Sequence, residues 1–328
     1  MSESKVESND YSANMPSENG EDAQEWILPD DFSGLRLDQA LAKLLPAYSR
    51  SRLQQWIKNE RVLLNGELAT QKTKVYGGEE VYVLPEMAPE QLAFRAEPMD
   101  LPIVYADEDI LVINKPAGLV VHPGHGNWSG TLLNGLLAFD EQLFSVPRAG
   151  IVHRLDKDTS GLMVVARNIP AQTELVRQLQ ARTVKREYMA VARGHISVGG
   201  TIDAPIGRHQ KDRLKMAVLP VGLSAGKPAV THFEPQMNWP GFTLVTCRLE
   251  TGRTHQIRVH MQYIGHPLVG DPLYGHRATS ELFPRQALHA RRLGLIHPRT
   301  GMRMQWEADI PEDMQDLIDS LGDADADY

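Results

Sequence analysis

The sequence predicts an α+β protein: a large mixed, mostly antiparallel sheet flanked by helices and loops, preceded by a small α+β module. Three observations predict it. Residues 34–84 carry two short helical patterns and several short strand patterns. Residues 101–310 alternate strand-like apolar runs with shorter helices, the mixture typical of an α+β domain. No self-similarity recurs at 20–50 residues, which argues against a solenoid or propeller. A chain of 328 residues is long enough for two cores.

The elements follow in order. Residues 1–33 form an acidic leader, whose first 25 residues, rich in Ser, Asn, Glu and Asp, have the composition of a disordered segment. In the module at 34–84, Leu37, Ala40, Leu41, Leu44 and Leu45 recur at helical spacing. Ser51 is the expected cap of a second helix carrying Leu53, Trp56 and Ile57. Val62–Leu64 is a strand entering an Asn65-Gly66 turn, and Lys74–Gly78 is a second turn before a strand at Glu80–Leu84. Residues 85–100, with Pro85, Pro89 and Pro98, read as a semi-rigid linker. In the domain at 101–310, strands are expected at Ile110–Ile113, Leu162–Ala166, Tyr188–Ala192 and Phe242–Leu249. Helices are expected at Pro170–Arg182 and from near Thr254. Residues 311–328 are an acidic tail in which Met314, Leu317 and Ile318 have the spacing of a short helix.

The net charge of −8 hides a basic body. Residues 1–31 hold nine acidic side chains and one basic, and residues 307–328 hold nine acidic and none basic. That leaves 33 basic and 24 acidic in residues 32–306, a balance suited to a polyanionic partner. The single Cys247 excludes an intramolecular disulfide and a multi-cysteine zinc site, as suits a reducing cytosol. Neither a secretory signal nor a membrane-length apolar run is found. A soluble, cytoplasmic protein is expected.

Arg36, Arg50, Arg52, Lys58, Arg61, Lys72 and Lys74 fall on or beside the two helices and first turn of the module. Its order of elements resembles the S4 RNA-binding domain, through Arg36-Leu37-Asp38, Ser49-Arg50-Ser51-Arg52 and Val62-Leu63-Leu64-Asn65-Gly66. The resemblance implies that these basic residues contact phosphate, supplying affinity and register rather than sequence reading. A second basic run, with Arg208, Lys211, Arg213 and Lys215, reads as a loop gripping an RNA stem.

Gly150–Leu162 is the densest polar cluster in the chain and includes His153-Arg154-Leu155-Asp156. Alone, it would suit a capped turn before a strand. Three other strings change its meaning: Asn114-Lys115-Pro116-Ala117-Gly118, Lys185-Arg186-Glu187-Tyr188, and Leu249–His260 with Gly252-Arg253-Thr254-His255-Gln256-Ile257-Arg258. In this order the four resemble the RluA-type family of pseudouridine synthases, over roughly residues 34–310. The resemblance implies that Asp156 is the catalytic carboxylate, that Tyr188 stacks on the target base and that Arg258 pairs with Asp156. Arg154 resembles the arginine that helps replace the extruded nucleotide. It further implies a partner in large-subunit ribosomal RNA, free or in a pre-ribosomal particle, met by a monomer. The residues alone do not separate ribosomal from transfer RNA.

Pseudouridine formation breaks the N1–C1′ bond, turns the uracil and joins C5 to C1′. No redox change and no net group transfer occurs, so no cofactor and no metal is expected. Phosphate-loop and dinucleotide glycine signatures are missing from the sequence. One ionised carboxylate serves either as nucleophile, at C1′ or at C6, or as base near the sugar. The target base must leave its stack, at a cost of a few kcal/mol that aromatic stacking and a filler side chain offset.

Two other readings compete. His122, His125, His153, Asp156, Asp158, His255 and His260 suggest a metal-dependent hydrolase. Their spacing fits no common ligand set, and His255 and His260, five apart, miss a shared helix face. The S4-like module alone would suit a non-catalytic RNA-binding assembly factor.

Overall fold

The computed structural model describes residues 23–85, 93–124, 126–220, 226–276, 279 and 281–326. The chain divides into two compact units, Met1–Leu92 and Ala93–Tyr328.

In the first unit, helices α1 (Leu37–Leu44) and α2 (Arg50–Lys58) pack with a four-stranded antiparallel sheet. Its strands are β1 (Gln24–Ile27), β2 (Val62–Leu64), β3 (Glu67–Leu68) and β4 (Glu80–Val83), in the order β1-β4-β2-β3. Leu37, Leu41 and Leu53 are fully buried, and Trp56 nearly so. Two expectations are corrected here. Residues 24–32 belong to the fold rather than to a leader. β1 pairs along β4 and the Phe32 ring enters the core, so backbone pairing and burial outweigh the polar composition of this stretch. The cap of α2 is Ser49 rather than Ser51, because Ser49 has extended backbone and its hydroxyl accepts the Arg52 N–H. Residues 1–22 of the expected leader lie outside the described residues.

The second unit is built on a nine-stranded mixed sheet. Its strands are β5 (Ile103–Ala106), β6 (Ile110–Lys115), β7 (Ser160–Ala166), β8 (Lys185–Arg193), β9 (Gly200–Asp203), β12 (Val230–Trp239), β13 (Phe242–Leu249), β14 (Leu288–Ile296) and β15 (Arg303–Glu307). They run β5-β6-β7-β14-β8-β13-β12-β9, with β15 on β14. β7 and β14 form the one parallel pair among the described residues. β10 (Ile206–Arg208) and β11 (Met216–Val218) make a separate hairpin bearing the second basic run. The helices are α3 (Leu132–Phe139), α4 (Ile169–Gln180), α5 (Gln256–Tyr263) and α6 (Glu312–Ala326).

β7 is buried at all seven positions, as a central strand with both faces covered should be. One face meets Leu132, Leu136 and Ile257, and the other meets Leu175 of α4. Part of the expected linker belongs to this unit, since Arg95 and Glu97 bond with Asn134 of α3; residues 86–92 lie outside the described residues. The C-terminal segment is a docked helix rather than a tail: Met314 and Leu317 bury against Trp239 and Met189, and Asp313 pairs with Arg285 at 2.7 Å. Among the described residues no helix is long and apolar enough to cross a membrane.

Candidate active site

The segment from Ile151 to Ser160 leaves the core, turns and re-enters it as β7. Ile151 bridges to Val165, and the His153 Nε2 accepts the Val164 N–H at 3.0 Å. Leu155 is buried in the main core. The chain then turns at Asp156–Thr159, where the Thr159 N–H donates to the Asp156 carbonyl. Gly161 follows at φ +115°, where an added Cβ would collide with the Ala290 backbone of β14. Only glycine lets the parallel pair close directly behind the turn.

Lys115, the last residue of β6, fixes the turn from below. It is fully buried, and its Nζ donates to the carbonyls of Pro116, Leu119 and Lys157 at 2.7, 2.9 and 2.9 Å. Burial pushes this amine down to about 7, against the pull of the Asp158 and Asp156 carboxylates. Three carbonyls require three N–H donors, a set that only the ammonium supplies.

Asp156 meets Arg258 from α5, 102 positions away: Nη1 donates to Oδ2 at 2.9 Å. Arg258 is 4% exposed, and its Nε and Nη2 form a fork on the buried Asp271 at 2.7 and 2.9 Å. Asp271 also accepts the N–H groups of Leu273 and Tyr274. Burial disfavours the guanidinium charge, but Asp271 and then Asp156 outweigh it, and the proton is held more tightly than usual. The Tyr274 ring lies 5.1 Å from the guanidinium carbon. Its hydroxyl accepts the Met216 N–H and faces the His255 Nδ1 at 2.8 Å. The His255 Nε2 lies 3.9 Å from Asp156 Oδ1. His255 holds φ +57° as the residue capping α5, a strained conformation for a non-glycine residue.

Tyr188 on β8 lines the same cleft, as do Arg154, Arg186 and Leu249. It is nearly buried, and burial pushes its hydroxyl up. Arg154 is exposed on the wall between this cleft and a neighbouring basic cavity. All four residues singled out in the sequence (Asp156, Arg154, Tyr188 and Arg258) therefore line one cleft.

The basic residues divide. In the first unit, Arg36 and Arg50 both reach the buried Asp38, at 3.1 and 2.7 Å, and tie α1 to α2. Arg52 stacks over Tyr48 and Trp56. Lys58, Lys72 and Lys74 are exposed, and Arg61 is half-buried. In the second unit Arg208, Lys211 and Arg213 are exposed on the hairpin, and Lys215 is half-buried. Sequence reasoning missed Asp271 and Tyr274, whose signal in Gly270-Asp271-Pro272 is that of an ordinary turn. It also left Lys115 and Arg186 without roles.

Of the histidines suspected as ligands, His153, His255 and His260 hold backbone or side-chain groups, whereas the buried His122 Nε2 has no partner among the described residues. His153 binds Val164, and His260 binds Thr231 and the Ala204 carbonyl. His125 lies outside the described residues. Burial pushes His153 down to about 3 and His122 and His289 to about 4. Because the folded values lie below the unfolded value near 6.5, their contribution is complete above that pH and is lost as pH falls towards 4. Urea denaturation should show stability falling below pH 6.5, by at most about 1.4 kcal/mol per pH unit for each group, and His153→Gln should flatten the slope. Equal stability at pH 7 and pH 5 would contradict this.

A lone carboxylate fixed by a buried arginine, beside an aromatic in a basic cleft, suits chemistry at the sugar–base junction of a nucleotide. Residues 109–263 match the family described as RNA pseudouridylate synthase, and residues 35–81 match the S4 domain. The chain belongs to this family of pseudouridine synthases, which are isomerases. It is 55% identical over 301 residues to Ribosomal large subunit pseudouridine synthase D of Salmonella typhimurium, covering 88% of this chain and 91% of the relative. The protein of the same name from Nitrosomonas europaea is 51% identical, covering 93% and 90%. Among solved structures, Human RNA Pseudouridylate Synthase Domain Containing 1 aligns with a TM-score of 0.52 at 27% identity, covering 73% of this chain and 98% of that one. A binding-only assembly factor is not favoured, since the matched region includes the whole Asp156 segment.

Proposed function

We propose that the protein converts specific uridines of large-subunit ribosomal RNA to pseudouridine, with Asp156 as the catalytic carboxylate. The observation that carries the reading is the cleft lined by Asp156, Arg258 and Tyr188, with Asp271 holding Arg258 from behind the lining. The target base leaves its stack and lies on Tyr188, while Arg154 at the rim fills the vacated space. Arg258 aims the Asp156 carboxylate through its Nη1, and His255 faces the other carboxylate oxygen. The N1–C1′ bond breaks and C5 bonds to C1′; the proton on C5 then passes to solvent and N1 takes up a proton, so atoms balance.

The name shared by the relatives supports the ribosomal target. The S4 unit and the β10–β11 hairpin supply phosphate contacts through Lys58, Lys72, Lys74, Arg208, Lys211, Arg213 and Lys215, with Arg36, Arg50, Arg52 and Arg61 beside them. The protein acts in the cytoplasm as a monomer, on ribosomal RNA or on a pre-ribosomal particle. Its domains are the S4-like module, a linker and the synthase domain.

Chemical mapping of pseudouridine across ribosomal and transfer RNA, from cells with and without the protein, tests this reading. Sites in large-subunit RNA should disappear with the protein. Loss confined to transfer RNA would overturn the assigned substrate.

A further inference from the structure

Arg186 has no role in the mechanism above, yet its place is unusual for a cation. It precedes Tyr188 by two on β8, so both side chains point to the same face. It is 92% buried by residue surface (8% exposed), and it lines both the Tyr188–Asp156 cleft and the adjoining cavity of about 540 Å³. Its Nε has no hydrogen-bond partner among the described residues, and its Nη2 makes a long 3.4 Å contact with the Glu250 carbonyl. Gly252 opens the space beside it: an added Cβ would meet Nη1 at 2.7 Å. Burial of an unsatisfied guanidinium is costly unless a ligand completes it.

The adjoining cavity shows what kind of ligand fits. Arg148, Arg154, Arg182 and Arg253 line it, and its one carboxylate, Glu250, is occupied by Arg182 and His232. Burial leaves His122 and His153 uncharged, so the arginines set its sign. The volume lies in the range of small-ligand sites. An anion flanking whatever occupies the Tyr188 cleft would reach Arg186 without leaving the basic surface.

We infer that Arg186 is a positioning residue that clamps one of the two backbone phosphates flanking the target uridine, with its guanidinium fork as donor. This rests on the reading that uridine enters the Tyr188 cleft. The clamp explains why a buried, incompletely bonded arginine stands beside the stacking aromatic: a phosphate held there fixes the sugar, and so C1′, relative to Asp156.

A double-mutant cycle with RNA tests it. Hairpin substrates carry a neutral methylphosphonate at the linkage 5′ or 3′ of the target uridine, and kcat/KM is measured with wild-type protein and with Arg186→Met. On unmodified RNA, Arg186→Met should lose between about 10- and 100-fold. At one of the two linkages the methylphosphonate should cost wild type a similar factor, and there the combined loss should exceed either single loss by less than about threefold. Losses that multiply at both linkages would overturn the clamp. If Arg186→Met fails to melt cooperatively, Arg186→Lys, which keeps the charge and loses the fork, replaces it in the cycle under the same criteria. A wild-type protein inactive on unmodified RNA would instead defeat the underlying reading of the cleft.

Discussion

Replacing Asp156 by Asn is expected to lower pseudouridine formation at least about 10⁴-fold while leaving RNA affinity within about threefold. The loss is large because no other carboxylate faces the cleft among its lining residues. Affinity survives because phosphate contacts supply most of it, and removing a negative charge cannot repel a polyanion. Folding survives too. The amide carbonyl still accepts the Arg258 Nη1, and Asp271 still neutralises the guanidinium. Nucleoside analysis of modified RNA beside a binding titration checks both halves. Turnover within tenfold of wild type would remove Asp156 from the mechanism.

Asp271→Asn reverses that pattern. Asp271 touches no reacting atom in the proposed mechanism, but it holds Arg258 by two short bonds and is itself fully buried. An amide there keeps one acceptor and sets a donor against a guanidinium that has only donors. Arg258, 4% exposed, is then a buried cation with Asp156 as its remaining carboxylate. Removing one partner of such a pair costs about 3 kcal/mol. The freed fork also loses its aim at Asp156, so kcat should fall between about 10- and 100-fold with KM little changed. Denaturant unfolding and steady-state kinetics measure the two effects. A variant with native stability and turnover would show that Arg258 needs no support.

These two residues mark how far the sequence could be read. The strand at Phe242–Leu249 and the Asn65-Gly66 hairpin were legible because alternation and turn chemistry are local. The Asp156–Arg258 pairing was legible only through resemblance of the motifs, since no periodicity relates positions 102 apart. Packing joins them: Ile257 of α5 sits in the core beside β7 and carries Arg258 to Asp156, while β14, between β7 and β8, pairs Ala290 with both Gly161 and Tyr188. Asp271 was illegible for a different reason. Beside a proline in a Gly-Asp-Pro turn, its local duty is to accept the N–H groups of Leu273 and Tyr274, and it does so while also gripping Arg258. One carboxylate does both, and only the first leaves a mark in the sequence. The strand at Gln24–Ile27 was obscured similarly, by acidic neighbours whose composition outweighs four residues of pairing.

In the proposed reaction Asp156 drives formation of a carbon–carbon bond at C5 of uridine in large-subunit ribosomal RNA. Release of tritium from RNA labelled at C5 of uridine reads that step directly, because the hydrogen leaves only when C5 bonds to C1′. Wild-type protein should release tritium in proportion to the number of target uridines, and Asp156→Asn should release none above background while binding the same RNA. Tritium release by Asp156→Asn at the wild-type rate would remove Asp156 from the reaction, and no release by wild-type protein from this RNA would remove the reaction itself.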